Sequence, residues 1–383
     1  MISLIKNTIS NEEIDSLIDW LKTYPRLTKG DITIQFEKKW SEYLGVEHSI
    51  FVNSGSSANL LMVYYLLESG LLKRGDSVIV PALSWSTTLA PVIQFGLNPI
   101  LCDCNLEDLS VDIEHLEKII KEYNPKSLIL VPILGFVPNM KEIKDICDKN
   151  NIILLEDTCE SLGSEYNSKK LGNFGLMSSF STYFGHHIST IEGGMICTND
   201  KKVANILRSL RSHGWDRDMD VEYYSDLREK YNVGDFNALY TFYHTGFNVR
   251  STDLQAFLGI RQLERLPDIV NNRNTNYNLY RDLISDDIWK PSQKENVFVS
   301  NFAYPIISEN RKSIIDNLKS NDIECRPLLS GSLSKQPYWY ENFGNIKLKN
   351  ADYIHEYGLY VPNNHEMSED DIIKISKTIN ESN

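Results

Sequence analysis

The sequence predicts an α/β protein with a mixed, mostly parallel central sheet, helices on both sheet faces and a smaller C-terminal α+β domain. Short apolar runs, such as residues 77–82 and 151–157, indicate buried strands, and they alternate with segments of helical periodicity. Strands that alternate with helices imply right-handed crossovers and a parallel sheet. Beyond about residue 250 the pattern changes to a strand-pair signal over 297–307, followed by a helix. We therefore expect a large domain over 1–249 and a small one over 250–383.

Caps and apolar spacing predict the N-terminal elements. Ser10, with Glu13 three residues further on, forms a capping-box pattern before apolar residues at helical spacing, which predicts an opening helix. A second helix is predicted from Glu37 to Gly45, and residues 49–54 follow as a strand. Later strands are predicted at residues 77–82, 99–104, 127–135 and 151–157.

Size and charge restrict the class of protein. With 383 residues and 42% hydrophobic content, the chain can bury a large core and a smaller second one. The 39 basic and 52 acidic residues give a net charge of −13, which argues against nucleic acid or an anionic membrane as a partner. No signal-peptide pattern or membrane-length apolar run is present, so we expect a cytoplasmic protein. The six cysteines suit a reducing compartment, and their spacing predicts no metal site.

Gly55 and Ser56 begin an apolar helix directly after a predicted strand. Small residues at this point leave backbone N–H groups free at the positive end of the helix dipole, where a phosphate is stabilised. The same residues also suit a plain helix cap. The turn is therefore either an anion site or a cap.

Two further candidates follow predicted strands. Trp85 comes just after residues 77–82, and Asp157 ends residues 151–157. The carboxyl ends of strands are where open α/β sheets bind ligands. The alternative interpretations are core packing for the tryptophan and a helix cap for the aspartate.

The segment from residue 181 to residue 194 carries adjacent histidines, His186 and His187, between two predicted strands. An imidazole can take or return a proton near neutral pH. The alternative is that one histidine packs in the core and the other faces water. In residues 210–218, His213 and Arg217 are candidate ligands for a sugar or phosphate, or members of a solvated turn.

The same segment resembles the active-site loop of sugar aminotransferases of the DegT/DnrJ/EryC1/StrS family. Aligned on Glu192, Gly193 and Gly194, the family's cofactor-binding lysine falls on His186. This exchange resembles the subgroup of nucleotide-sugar 3-dehydratases. The resemblance extends over nearly the whole chain and includes a Gly-x-Asn-x-Arg motif at residues 246–250.

The resemblance implies the aspartate-aminotransferase fold (fold type I) and pyridoxal or pyridoxamine phosphate held noncovalently. It places Trp85 on the cofactor ring, Asp157 on the ring nitrogen, and Glu160 where the family has glutamine. The implied phosphate ligands are Gly55, Ser56, Ser181 and, from a neighbouring subunit, Asn248. This last role implies a homodimer with shared active sites. Arg326 resembles an arginine near the nucleotide sugar.

The implied reaction removes the C3 hydroxyl of a nucleotide-linked, GDP-type 4-keto-6-deoxy sugar, with L-glutamate as amine donor and His186 as base. The motifs leave hexose and heptose substrates both open. Three alternatives remain: an iron–sulfur CDP-sugar 3-dehydrase, an ordinary sugar aminotransferase, and a non-catalytic relative that binds a nucleotide sugar. The cysteine spacing disfavours the first, and the missing lysine disfavours the second.

Overall fold

The computed structural model describes residues 1–292 and 294–383. Its helices, in chain order, are α1 (Asn11–Leu21), α2 (Asp31–Leu44), α3 (Gly55–Glu68), α4 (Ser86–Gln94), α5 (Ile113–Tyr123), α6 (Met140–Lys149), α7 (Lys201–Arg211), α8 (Val221–Lys230), α9 (Asp235–Ala238), α10 (Asp253–Leu283), α11 (Arg311–Ser320), α12 (Pro337–Phe343), α13 (Lys349–Tyr357) and α14 (Glu369–Asn380). Short 3₁₀ turns occupy Ile133–Gly135 and Leu333–Lys335.

The strands, in chain order, are β1 (His48–Val52), β2 (Ser77–Pro81), β3 (Asn98–Cys102), β4 (Ser127–Leu130), β5 (Ile153–Asp157), β6 (Glu165–Tyr166), β7 (Lys169–Lys170), β8 (Met177–Ser181), β9 (Gly194–Thr198), β10 (Val297–Phe298), β11 (Tyr304–Ile307), β12 (Arg326–Pro327) and β13 (Gly358–Val361). Seven of them form the main sheet in the order β1-β9-β8-β5-β4-β2-β3. The pairs β2–β3, β2–β4, β4–β5 and β5–β8 are parallel, whereas β9 runs antiparallel to β8 and β1. The prediction of a mixed, mostly parallel sheet is confirmed.

Apolar side chains leave both faces of this sheet. Along β1, Ile50 and Val52 enter one hydrophobic cluster and Phe51 enters a second one. Because successive strand residues point to opposite faces, the two clusters lie on opposite sides of the sheet. The second cluster also contains Phe36 of α2 and Leu266 of α10. Helices therefore cover both faces, as predicted.

The capping box of α1 is confirmed, because Ser10 accepts a hydrogen bond from the Glu13 N–H and the Glu13 side chain accepts one from the Ser10 N–H. The start of α2 was predicted wrongly: the helix begins at Asp31 rather than Glu37. The carboxylate of Asp253, at the start of α10, accepts hydrogen bonds from the N–H groups of Gly30 and Thr33 at 2.7 and 2.9 Å. This cap comes from a distant part of the chain, so no local pattern announces it.

Two other strand predictions are wrong in part. The run 127–135 is a strand only to Leu130, because a 3₁₀ turn follows in which Leu134 has φ 50° and Gly135 has φ 88°. The predicted pair within 297–307 does not form, since β10 pairs with β6 and β11 pairs with β13. Between β10 and β11, the Phe302 N–H donates to the Leu134 carbonyl at 2.9 Å, which diverts the chain from a hairpin.

Candidate active site

The carboxyl edge of the main sheet collects the segments that were predicted to carry chemistry. Strands β1, β2, β4, β5 and β8 end at this edge, as their pairing registers require. The residues that follow these strand ends include Gly55, Trp85, Leu134, Glu160 and His186. Ligands bind at this edge in open α/β sheets because loops from several strands converge there.

The turn at Gly55 packs closely against the end of β8. A Cβ atom on Gly55 would lie 2.7 Å from Ser181 Cβ, so only glycine allows this approach. Ser54, which the sequence interpretation missed, caps α3 by accepting a hydrogen bond from the Ser57 N–H at 3.0 Å. Ser56 is exposed at the start of the helix. The turn thus presents the positive end of α3 beside Ser181, an arrangement suited to a phosphate.

Asp157 is buried and surrounded by hydrogen-bond donors. Its Oδ2 accepts bonds from Asn59 Nδ2 and Thr88 Oγ1, both at 2.7 Å, and Ser179 Oγ lies 3.3 Å from Oδ1. These bonds orient a carboxylate that can face a protonated ring nitrogen. Sequence interpretation missed all three partners, although an asparagine in the otherwise apolar α3 was a usable signal. Trp85, at the N-cap of α4, is 55% exposed and available for stacking.

Glu160 lies one turn beyond Asp157 and accepts a hydrogen bond from the Leu134 N–H at 2.9 Å. Burial raises the pKa of Glu160 to about 8; the charge of Asp157 adds to this rise, and the bond from Leu134 opposes it. The neutral acid therefore predominates at pH 7. A neutral carboxyl offers one donor and one acceptor, as a glutamine amide does.

Glu160→Gln should stabilise the fold in a pH-dependent way. The folded protein keeps Glu160 protonated up to about pH 8, whereas the unfolded chain loses that proton near 4.5. Stability is therefore lost as pH rises through this window, by at most about 1.4 kcal/mol per pH unit, and glutamine removes the loss. We expect the variant to melt at a higher temperature than the native protein at pH 8, with no difference at pH 4.5. The exposed Glu341→Gln is the control, and equal shifts in both variants would contradict the prediction.

The two histidines occupy different environments. His187 is fully buried, and its Nε2 lies 3.2 Å from the Ser300 carbonyl oxygen. His186 is partly exposed, and its Nδ1 is buried with no hydrogen-bond partner among residues 1–292 and 294–383. Burial lowers the pKa of His186 to about 4; the charge of Arg273 adds to the lowering, and the Cys159 backbone and the Asp157 charge oppose it. His186 is therefore neutral at pH 7 and able to accept a proton.

The loop that carries His186 is anchored at both ends. Thr182 and Thr190 hydrogen-bond through their hydroxyls at 2.5 Å. Two glutamines of α10 bind the second half of the loop. Gln262 Oε1 accepts a hydrogen bond from the Ser189 N–H at 3.1 Å, and Gln255 Nε2 donates one to the Glu192 carbonyl at 2.6 Å. The loop therefore holds His186 on a fixed frame.

Asn248 and the two proposed sugar ligands lie in two segments that contact each other. Asn248 is exposed and forms a β-bridge with Ser212, the neighbour of His213. The His213 ring contacts Trp215 edge to face at 5.0 Å, and the Arg217 guanidinium lies 4.0 Å over the Trp215 ring. Arg217 also donates to the Leu239 carbonyl at 2.6 Å. The Asn248 segment is tied to the end of β1, because the Asn53 N–H donates to the Val249 carbonyl at 2.9 Å.

Arg326 lies on β12 and is exposed, with an ion pair to Glu324. Across the small sheet its register partner is Tyr360. Burial raises the pKa of Tyr360 to about 12, and the charge of Glu160 contributes. Arg326 thus lies on a strand whose neighbour faces the Glu160 side of the site.

The described part of the chain has neither a metal-type cluster nor a membrane-type helix. Over residues 1–292 and 294–383, no group of three or more His, Cys, Asp or Glu side chains is arranged to hold a metal ion. The six cysteines are free thiols. Within the same part of the chain, every helix is too short or too polar to cross a bilayer.

The site fits pyridoxal phosphate held without a covalent bond. The Gly55 turn suits its phosphate, the oriented Asp157 carboxylate suits its ring nitrogen, and the exposed Trp85 offers a stacking face. The loop at residues 181–194 contains no lysine and instead places the unpaired His186 nitrogen at the edge of the sheet. Fold and site together define a protein of the fold type I, pyridoxal-phosphate-dependent class.

The chain belongs to the DegT/DnrJ/EryC1/StrS aminotransferase family, whose model matches residues 7–380. It is 35% identical over 346 residues to GDP-4-keto-6-deoxy-D-mannose 3-dehydratase of Escherichia coli O55:H7, covering 88% of each chain. It is 34% identical over 357 residues to the enzyme of that name from Yersinia pseudotuberculosis, covering 91% of this chain and 90% of the relative.

Solved structures agree with this assignment. A GDP-4-keto-6-deoxymannose-3-dehydratase variant with bound GDP-perosamine matches with a TM-score of 0.89 and 31% identity, over 99% of this chain and 100% of that one. A structure of that enzyme with a trapped PLP-glutamate geminal diamine matches with a TM-score of 0.88 and 32% identity, with the same coverage. The expected fold and cofactor are confirmed.

Proposed function

We propose that this chain is a pyridoxal-phosphate-dependent 3-dehydratase. It removes the C3 hydroxyl of a GDP-linked 4-keto-6-deoxy sugar, with L-glutamate as the amine donor. The observation that carries the proposal is that a neutral, partly exposed histidine occupies the loop position where the family's aminotransferases have lysine. Because imidazole forms no covalent link to the cofactor, the unsaturated amino sugar can leave the site and hydrolyse to the 3-deoxy ketone.

When bound as its pyridoxamine form, the cofactor supplies an amine for the C4 ketone and an electron sink that makes the C3 hydroxyl a leaving group. His186 removes the proton from the cofactor's C4′ carbon and can return a proton to the departing hydroxyl oxygen. Asp157 keeps the ring nitrogen protonated. The C3 hydroxyl leaves as water, water then hydrolyses the released amino sugar to the ketone and ammonia, and glutamate becomes its keto acid as it restores the amine. The sugar therefore loses one oxygen overall.

We propose the remaining assignments from the family resemblance and from the positions of the residues. Gly55, Ser56 and Ser181 hold the phosphate, Trp85 stacks on the ring and Glu160 contributes a neutral hydrogen bond beside Asp157. The nucleotide sugar is bound by residues outside the sheet edge, for which we propose His213, Arg217 and Arg326. Hexose and heptose substrates both remain consistent with these residues.

We further propose a homodimer with shared active sites, in which Asn248 of each subunit serves the partner's phosphate. Phe236, Tyr240 and Phe242 lie in the segment leading to Asn248 and are 86%, 74% and 55% exposed, a concentration of apolar surface that a second subunit would cover. The domains are proposed to meet near residue 250. The six free thiols support a cytoplasmic location. The product would be a 3,6-dideoxy sugar, such as the precursor of colitose, for O-antigen or capsule.

The function is tested by mass spectrometry of products after incubation with pyridoxal phosphate, glutamate and GDP-4-keto-6-deoxymannose. We expect a sugar nucleotide lacking one oxygen, formed only with glutamate present. A heptose analogue is tested in parallel. An amino sugar would indicate an aminotransferase, a requirement for iron would indicate the iron–sulfur enzyme, and tight binding without turnover would indicate a non-catalytic relative.

Shared active sites are tested by mixing subunits. His186→Asn and Asn248→Ala each disable every site of their own homodimer, whereas a mixed dimer has one site with both changes and one with neither. Random mixing should therefore restore about a quarter of native turnover. Two inactive preparations that stay inactive after mixing would contradict the shared site, provided that native mass spectrometry shows the mixed dimer.

A further inference from the structure

Arg273, in the middle of α10, is a buried cation. It is 3% exposed, and no carboxylate pairs with it among residues 1–292 and 294–383. Its Nη1 instead donates to the backbone carbonyls of Asn301, Phe302 and Asn363, at 3.3, 2.8 and 2.5 Å. Burial lowers its pKa to about 10, so the guanidinium still carries its charge at pH 7. Burying a charge without a counter-ion is costly, which suggests that the charge or its geometry has a use.

The Arg273 guanidinium is part of a buried hydrogen-bond network that includes several backbone carbonyls. Asn363 Nδ2 donates back to the Arg273 carbonyl at 3.1 Å and to Asn301 Oδ1 at 2.9 Å. Asn301 Nδ2 and the Phe302 N–H both donate to the Leu134 carbonyl, at 2.8 and 2.9 Å. Arg273 therefore fixes the 300–302 segment against the turn that also binds Glu160.

This network ends at the candidate base. The Phe302 ring lies 5.3 Å from the His186 ring and 6.2 Å from the His187 ring, measured between centroids. The Arg273 guanidinium carbon lies 5.9 Å from the Phe302 centroid. Phe302 thus lies close to both the buried cation and the imidazole of His186.

We propose that Arg273 is a positioning residue for His186: its guanidinium fixes Phe302 beside the imidazole and sets an unpaired positive charge close to it. This inference rests on the proposed role of His186 as base. To act as a base, the His186 imidazole must be neutral and must be oriented toward the proton that it removes. A fixed cation nearby disfavours the protonated imidazole, and a fixed neighbouring ring limits how the imidazole can turn.

The other charged and titratable groups around His186 raise or lower its pKa. Asp157 favours protonation of His186 and Arg273 opposes it, in addition to burial. His187 is neutral, because burial lowers its pKa well below the ordinary value. Glu160 is largely neutral below pH 8. Removing the Arg273 charge takes away one of the two influences that lower the pKa of His186, so this pKa should rise, while burial still holds it below its ordinary value.

The test is an NMR titration of the His186 ring in the full-length, cofactor-free protein, with the signal assigned from His186→Asn. Arg273→Met should raise the pKa of His186 above its value in the native protein. Arg273→Lys keeps the charge but loses the planar fork, so it should leave the titration unchanged while lowering kcat about tenfold at constant KM. The exposed Arg261→Met, on the same helix, is the control and should alter neither quantity.

A native titration in Arg273→Met, or a native kcat in Arg273→Lys, would overturn the proposal. If Arg273→Met fails to fold, Arg273→Lys and Phe302→Leu test the proposal instead. Both variants should lower kcat about tenfold and leave the pKa of His186 unchanged. The titration needs neither cofactor nor substrate. A shifted titration in a protein that shows no dehydration would therefore refute the proposed function without refuting the electrostatic role of Arg273.

Discussion

His186→Asn should abolish measurable dehydration, with kcat falling by about 10²- to 10⁴-fold. An amide cannot accept the C4′ proton, whereas its size still fits the space beside Phe302. The cofactor's phosphate and ring contacts lie elsewhere, so its affinity should change little. Product formation by mass spectrometry and cofactor binding by absorbance titration measure the two quantities.

His187→Asn is the matched control. His187 is fully buried, and its Nε2 lies 3.2 Å from the Ser300 carbonyl oxygen. This change should cost about 1–3 kcal/mol of stability while leaving the dehydration rate near native in the folded protein. If His187→Asn proves inactive and His186→Asn active, the base has been assigned to the wrong one of the two histidines.

Asp157→Asn should have the second large effect, a fall in kcat of about 10²- to 10³-fold. A neutral amide cannot keep the ring nitrogen protonated, so the bound cofactor becomes a poorer electron sink. The change also places an amide among Asn59 and Thr88, which both donate to the present carboxylate. Steady-state kinetics and the absorbance spectrum of the loaded protein measure the effect.

Thr88→Val provides the comparison for this prediction. It removes one 2.7 Å bond to Asp157 and keeps the carboxylate, so a decrease of about tenfold or less is expected. Native turnover in Asp157→Asn would contradict its role at the ring nitrogen. Equal losses in both variants would mean that orientation, not charge, is what Asp157 provides.

The fold class was predictable because its signals are local. Apolar runs separated by helical patterns predict a parallel sheet. The residues that follow each run must then lie together at the carboxyl edge of that sheet. Gly55, Trp85, Asp157 and the loop with His186 were located in this way. Sequence alone also identified the lysine exchange, because a single position in a recognisable loop carries it.

The remainder depends on contacts between distant parts of the chain. Asp253 caps the N-terminus of α2 although it lies more than 200 positions further along the chain. The Phe302 N–H donates to the Leu134 carbonyl, and no sequence pattern in either segment predicts this bond. The partners of Asp157 come from α3, α4 and β8, so each looks ordinary in its own element. Arg273 stands among polar helix residues that suggest solvent exposure, yet tertiary packing buries it.

A single-turnover reaction tests the role of His186 most directly. Protein loaded with pyridoxamine phosphate is mixed with GDP-4-keto-6-deoxymannose without glutamate, and the products are counted by mass spectrometry. We expect the native protein to release one 3-deoxy sugar nucleotide for each bound cofactor and His186→Asn to release none. Deoxy sugar from the His186→Asn protein, or an amino sugar from the native one, would contradict the proposed chemistry.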